Sequence, residues 1–148
     1  MSEAVIVSSI LGGCGLLITL FYNYKNSQLA HHKMQKELFA EFNERYDKLN
    51  DSLSLLNESD TITSIKEKMS LIDNKSMYNV LIDYFNLCAE QYYWKQEKRI
   101  SDKIWESWYN GMFFYYSNFS VVRDLWRDEI KEDGYKSYYL KKGDKLFK

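Results

Sequence analysis

The sequence contains no proline. Its strongest helix breaker is therefore missing, which favours long uninterrupted helices. Cysteine is scarce, with Cys14 in an apolar run and Cys88 in a helical pattern. Two cysteines so placed make no disulfide framework and suit a reducing cytosol. The two histidines, His31 and His32, are adjacent. Neighbours on a helix point about 100° apart, so they cannot chelate one ion within one chain. Neither cysteine has a partner at metal-ligand spacing. No nucleophile elbow is present, and no glycine-rich loop follows a strand. Neither catalysis nor a metal or cofactor is expected. The net charge of -1 supplies no global field toward nucleic acid.

What is present is apolar and aromatic. Hydrophobic residues make up 45% of the chain and aromatic residues 17%, with 13 tyrosines, enough for a dense core. Between Glu3 and Lys25 lie 21 residues without a charge. As a helix they would span roughly 31 Å, about a bilayer's hydrocarbon thickness. Phe21, Tyr22 and Tyr24 cluster at the end of this run, where interfacial aromatics belong. A signal peptide fits less well, because Glu3 is the one charged side chain before the run and no small-x-small cleavage site follows up to Ala30.

Three glycines interrupt this run. Ser8, Gly12, Gly15 and Thr19 share one helix face, and Ser9 with Gly13 repeats the spacing beside it. In lipid, small residues let helix backbones approach closely, so this face predicts pairing with a second copy, a homo-oligomer. Lys25, Lys33 and Lys36 follow the run, whereas no lysine or arginine precedes it. The positive-inside rule then puts the N-terminus outside the inner (plasma) membrane and residues 25 to 148 in the cytoplasm.

Beyond the run the apolar period is helical throughout, and no period-2 stretch of strand length stands out. Met34, Leu38, Phe42, Tyr46, Leu49, Leu53 and Leu56 mark an amphipathic stalk. Ile62, Ile65, Met69 and Ile72 mark a short helix after the turn cluster at 57 to 60. Ser76 is a predicted N-cap for a third helix, with Met77, Leu81, Tyr84, Cys88 and Tyr92 as its stripe. Ser101 or Asp102 caps a fourth, and Asn118 or Ser120 opens a fifth. The predicted fold is all-α, with one N-terminal transmembrane helix continuing into a cytosolic bundle of four or five helices. Its divisions are an anchor at 1 to 24, a stalk at 25 to 57, a bundle at 58 to 134 and a basic aromatic tail at 135 to 148. That tail, with five lysines against Asp144 from 136 to 148, reads either as a solvated end or as an arm touching phosphate or lipid headgroups.

The densest constellation for chemistry is "YYWKQEKR", 92 to 99. Tyr93 and Trp94 offer faces on which bases stack, and Lys95, Lys98 and Arg99 offer cations for phosphate. Arg123 and Arg127 flank Trp126 on another helix, and Arg45 sits beside Tyr46. These eight residues (Arg45, Tyr93, Trp94, Lys95, Lys98, Arg99, Arg123, Arg127) are the candidate ligand set. The competing reading makes the aromatics core and gives Lys98 and Arg99 to a helix C-terminus.

The segments "LFAEFNERYDKLN" (38 to 50), "YFNLCAEQYYWKQEKRI" (84 to 100) and "IWESWYNGM" (104 to 112) resemble a family of small, uncharacterised bacterial helical proteins, many with one N-terminal span. The resemblance covers most of the chain beyond the apolar run. It implies fold and membrane anchoring and carries no catalytic residues. In organisation alone the chain also looks like CRISPR-associated and other anti-phage membrane effectors that bind cyclic oligoadenylate. That likeness implies a membrane-anchored oligomer with a cyclic oligonucleotide ligand. The alternative is a membrane-tethered scaffold that recruits a cytosolic protein partner.

Overall fold

The computed structural model describes residues 3 to 147, with side chains from Gly13 onward. The described chain is helical throughout: α1 (Glu3–Leu53), α2 (Ile62–Glu67), α3 (Met77–Gln96), α4 (Asp102–Asn118), α5 (Ser120–Glu129) and a 3-10 helix (Gly134–Tyr138). Among the described residues the sole β pairing is an isolated bridge between Met69 and Ser76. The chain divides into two compact units, Met1–Lys36 and Glu37–Lys148, and the boundary falls inside α1.

In the first unit the described side chains from Gly13 to Ala30 are all exposed. Among the described residues no helix is long and apolar enough to cross a membrane. Of the apolar run, the side chains of residues 4 to 12 lie outside those described, as do Ser8 and Gly12 of the small-residue face. Gly15 and Thr19 are described, and the Thr19 hydroxyl donates to the Gly15 carbonyl at 2.9 Å.

Helix starts in the second unit follow capping chemistry. Thr61 and Ser64 form a reciprocal capping box at α2. Ser76 Oγ accepts from the Asn79 N–H, and Ser101 Oγ from the Ile104 N–H. The fifth helix starts at Ser120, one of the two starts the sequence offered. Phe119, in extended conformation, closes α4 and opens α5 with no side-chain cap. Asn118 instead folds back to donate to the Phe114 carbonyl at 2.8 Å. Arg123 serves the end of α4 instead, donating to the Tyr116 and Ser117 carbonyls at 2.9 and 2.6 Å. A cation across the last turn satisfies carbonyls that the helix leaves open.

The core of this unit draws on every helix. Phe42, Leu49 and Leu53 of α1 are buried with Leu81, Tyr84 and Phe85 of α3 and with Val122, Leu125 and Trp126 of α5. Residues 37 to 53 of α1 therefore pack into the unit and do not stand free as a stalk. The basic segment is also part of the core: Tyr138, Leu140, Leu146 and Phe147 are buried. Phe147 meets Trp126 edge-on at 5.1 Å and stacks on Tyr116 at 4.7 Å between ring centroids. Four of its lysines, Lys136, Lys141, Lys142 and Lys145, stay exposed. Burying one large aromatic or aliphatic side chain stabilises by about 1.5–3 kcal/mol, more than the entropy of ordering a short exposed segment's end. Hydrophobic spacing in a stretch dense in lysine was thus the stronger signal.

Candidate functional site

Three of the clefts in the second unit differ in their chemistry. The most apolar, about 200 Å³, opens between α1, α3 and α4. Tyr84, Leu87, Trp108 and Met112 form its walls, and Asn43, Gln91 and Ser107 bring polar groups to it. Trp108 donates its indole N–H to Asn43 Oδ1 at 3.0 Å, which fixes that ring and leaves the Asn43 amino group free to donate. Phe42 meets Trp108 edge-on at 5.6 Å, and Phe39 stacks on it at 5.9 Å. Tyr84 donates to the Met112 carbonyl at 3.4 Å, tying α3 to α4.

Every ionisable group in this cleft is held neutral. Burial pushes the Tyr46 phenol up, and the neighbouring Tyr115 hydroxyl adds to the shift. Burial likewise raises Tyr84, and it raises the Cys88 thiol against a small opposing hydrogen bond from Tyr84. No lysine, arginine or carboxylate lines the cleft. Gln91 is 4% exposed, and among the described residues no hydrogen bond from another protein group reaches its amide. Since no fully buried side-chain nitrogen or oxygen among the described residues lacks a partner, that amide meets the open space of the cleft.

The second cleft, about 580 Å³, is charged but balanced. Arg45 grips Glu90 through both terminal nitrogens at 2.6 and 2.9 Å. The Arg45 guanidinium also lies 5.6 Å from the Phe42 ring centroid. Lys75 pairs with Asp83, and Lys48 with Glu44 at 2.7 Å. The hydrogen bonds from Glu90 raise the Arg45 pKa further, over a smaller desolvation effect. With each cation already matched, this groove offers no spare positive charge to a phosphate. The third cleft, about 230 Å³, lies along Tyr92, Tyr93, Gln96 and Tyr139, with Lys141 and Asp144 at its edge.

The eight sequence-predicted ligand residues are dispersed. Arg45 lines the charged cleft and Tyr93 the third; the apolar cleft contains none of them. Trp94 packs partly buried against the core, with Tyr93 edge-on at 5.3 Å. Lys95 pairs with Asp102 across the α3–α4 turn, Arg123 caps α4, and Arg127 pairs with Asp124 at 3.2 Å. Lys98 and Arg99 are exposed in the turn after α3, where Lys98 takes a left-handed backbone conformation and the Arg99 N–H donates to the Trp94 carbonyl at 2.9 Å. Among the described residues these two have no ion-pair partner. Of the other cations, Arg45 is taken by Glu90 on α3, Lys95 and Arg123 by groups across inter-helix turns, and Arg127 by its i,i+3 neighbour.

Sequence reasoning missed Asn43, Gln91 and Trp108 as one site. A signal for Gln91 was present: it falls seven residues after Tyr84 and three after Cys88, a polar residue on the buried face of α3. Gly111, inside α4 with nothing within 4 Å of where its Cβ would stand, was a second. Among the described residues no group of histidine, cysteine and carboxylate side chains is arranged to hold a metal. In comparisons with known proteins, no protein-family profile, curated protein or solved structure matches this chain.

Proposed function

We propose that this chain is a membrane-anchored, oligomeric, non-enzymatic sensor or effector, with residues 4 to 24 crossing the bilayer once and the 37 to 148 unit answering a ligand in the cytoplasm. One observation carries the reading. Leu16, Leu17, Ile18, Leu20 and Phe21 are 63–69% exposed on a helix with no protein cover. Water does not tolerate so large an apolar surface, so another medium covers it. Lipid suits it, because the uncharged run is of bilayer length and a helix satisfies its own backbone. Lys25 lies 5.7 Å from the Phe21 ring centroid at the polar end, as a snorkelling lysine would. The likeness to small single-span bacterial proteins supports the same anchoring. On the small-residue face, a Cβ at Gly15 would meet nothing within 4 Å, which leaves room for a second copy.

The ligand in this reading is a cyclic oligonucleotide, in an anti-phage response. Lys98 and Arg99 support it as unpaired cations in the turn that follows Tyr93 and Trp94. The test has two arms. Full-length protein should stay with membranes through an alkaline carbonate wash, and Leu17→Lys with Leu20→Lys should release it. A wild-type chain in the wash supernatant refutes the anchor. Cyclic oligoadenylate at saturation should raise the melting temperature, and Lys98→Glu with Arg99→Glu should abolish the rise. No rise with the wild type favours the second reading, a membrane-tethered scaffold that recruits a cytosolic protein. Its supporting observation is the exposed pair Phe113 and Phe114 on α4.

A further inference from the structure

We infer that the α1–α3–α4 cleft binds a small, uncharged planar ring carrying an adjacent hydrogen-bond donor and acceptor, such as a ring-bound primary amide or an amino-heterocycle, with the Gln91 amide pairing to that edge. The argument starts from the Gln91 amide. Gln91 is almost wholly enclosed and among the described residues hydrogen-bonds no other group, yet no fully buried polar side-chain atom among those residues is without a partner. Both facts hold only if the Gln91 amide retains contact with open space, and the space it lines is this cleft. A carboxamide presents a donor and an acceptor side by side, the arrangement that pairs in two bonds with a complementary ring edge.

Shape and charge narrow the occupant further. A cavity of about 150 Å³ lined by apolar groups admits benzene. At about 200 Å³ this one has room for one substituted ring and not for a nucleotide. The Trp108 ring, held by Asn43, together with Tyr84 offers aromatic surface for such a ring. The Asn43 amino group and the Ser107 hydroxyl supply further donors at the rim. A carboxylate or phosphate would enter unpaired, since no cation lines the cleft. The site is separate from the α3–α4 turn and from the anchor. Its test reads binding directly, so its failure leaves the membrane reading standing.

The experiment uses full-length protein in detergent micelles, with benzamide and benzoate as probes of the same ring and different charge. Calorimetric or dialysis titration should show benzamide binding at least tenfold more tightly than benzoate. Gln91→Leu should weaken benzamide at least tenfold without lowering the melting temperature of the ligand-free protein, because the amide meets open space and hydrogen-bonds no protein group among the described residues. A merely structural glutamine would lower that temperature when replaced. Gly111→Leu, which adds a side chain at an open position on the cleft wall, should block benzamide while the protein keeps its helical content. The proposal is overturned if the two probes bind alike, if neither binds, if Gln91→Leu melts at a lower temperature, or if Gly111→Leu binds benzamide as the wild type does.

Discussion

The two compact units put the same helix to opposite uses. In Met1–Lys36 the large apolar side chains of α1 from Leu16 to Leu29 are exposed, whereas in Glu37–Lys148 the same helix buries Phe42, Leu49 and Leu53. Composition accounts for the contrast. Residues 4 to 24 are apolar on every side and carry no charge, so no polar face is left to meet water. Residues 37 to 53 set Glu41, Glu44, Asp47, Lys48 and Asp51 against an apolar stripe, so one face packs and the other is solvated. A continuous helix is thus no guide to a continuous environment; the angular distribution of charge around it is.

The sharpest way to break this comparison is to cut into the second unit's core. Trp126 packs edge-on against Phe85, Tyr138 and Phe147 at 5.0–5.1 Å. Trp126→Ala should lower the stability of the 37 to 148 unit by about 3–5 kcal/mol in urea titration. Leu17→Ala in the first unit should leave that same transition within about 0.5 kcal/mol. Equal effects would mean that the two units share one core.

Glycines sharpen the comparison next. A Cβ at Gly134 would fall within the van der Waals radius of the Glu129 carbonyl oxygen, where the chain turns after α5. Gly134→Ala should cost about 2–3 kcal/mol by thermal melting. Gly15→Ala, with nothing in reach, should leave the melting of the 37 to 148 unit unchanged.

A smaller effect tests the polar staple of the second unit. Lys68 donates to the Leu55 carbonyl at 2.7 Å and to Asp60 at 2.8 Å, joining the end of α2 to the chain that follows α1. Burial pushes the Asp60 carboxyl up, but the Lys68 ammonium and the Asn57 N–H together outweigh it and hold the carboxyl below its ordinary value. Lys68→Met should cost about 1–2 kcal/mol at pH 7. Because the folded pKa is lowered, the Asp60 contribution is complete above the unfolded value of about 3.9 and fades as pH falls through the folded one. Asp60→Asn should therefore be less stable than the wild type at pH 6, with the gap closing as pH falls through the lowered folded value. A gap independent of pH would remove the ion pair from the account. The smallest change is Gly111→Ala, which should stabilise by up to about 1 kcal/mol through helix propensity alone.

Much of the fold was legible because its signals are local. The stripe of α3, the caps Ser76 and Ser101 and the lack of strands among the described residues follow from residue spacing and hydrogen-bond chemistry within one turn of chain. The cap on the end of α4 was not legible, because it arrives from Arg123, inside the next helix. The candidate ligand set misled for a related reason. Lys95 and Arg123 look free in a linear pattern, yet each finds a partner across the turn between two helices; Arg127 pairs with its i,i+3 neighbour Asp124, a pair the spacing itself offered.

The sequence by itself determined that the chain is helical, where most helices start, and that an uncharged apolar run precedes an amphipathic stretch. These properties depend on periodicity, capping and composition, all of which act over a few residues. Only the tertiary structure decided that the lysine-rich final segment belongs to the core, that most of the candidate cations are matched, and that the Gln91 amide meets the open space of an uncharged cleft. Those outcomes depend on which groups meet across helices distant in sequence, where burial and pairing are settled by packing and not by spacing.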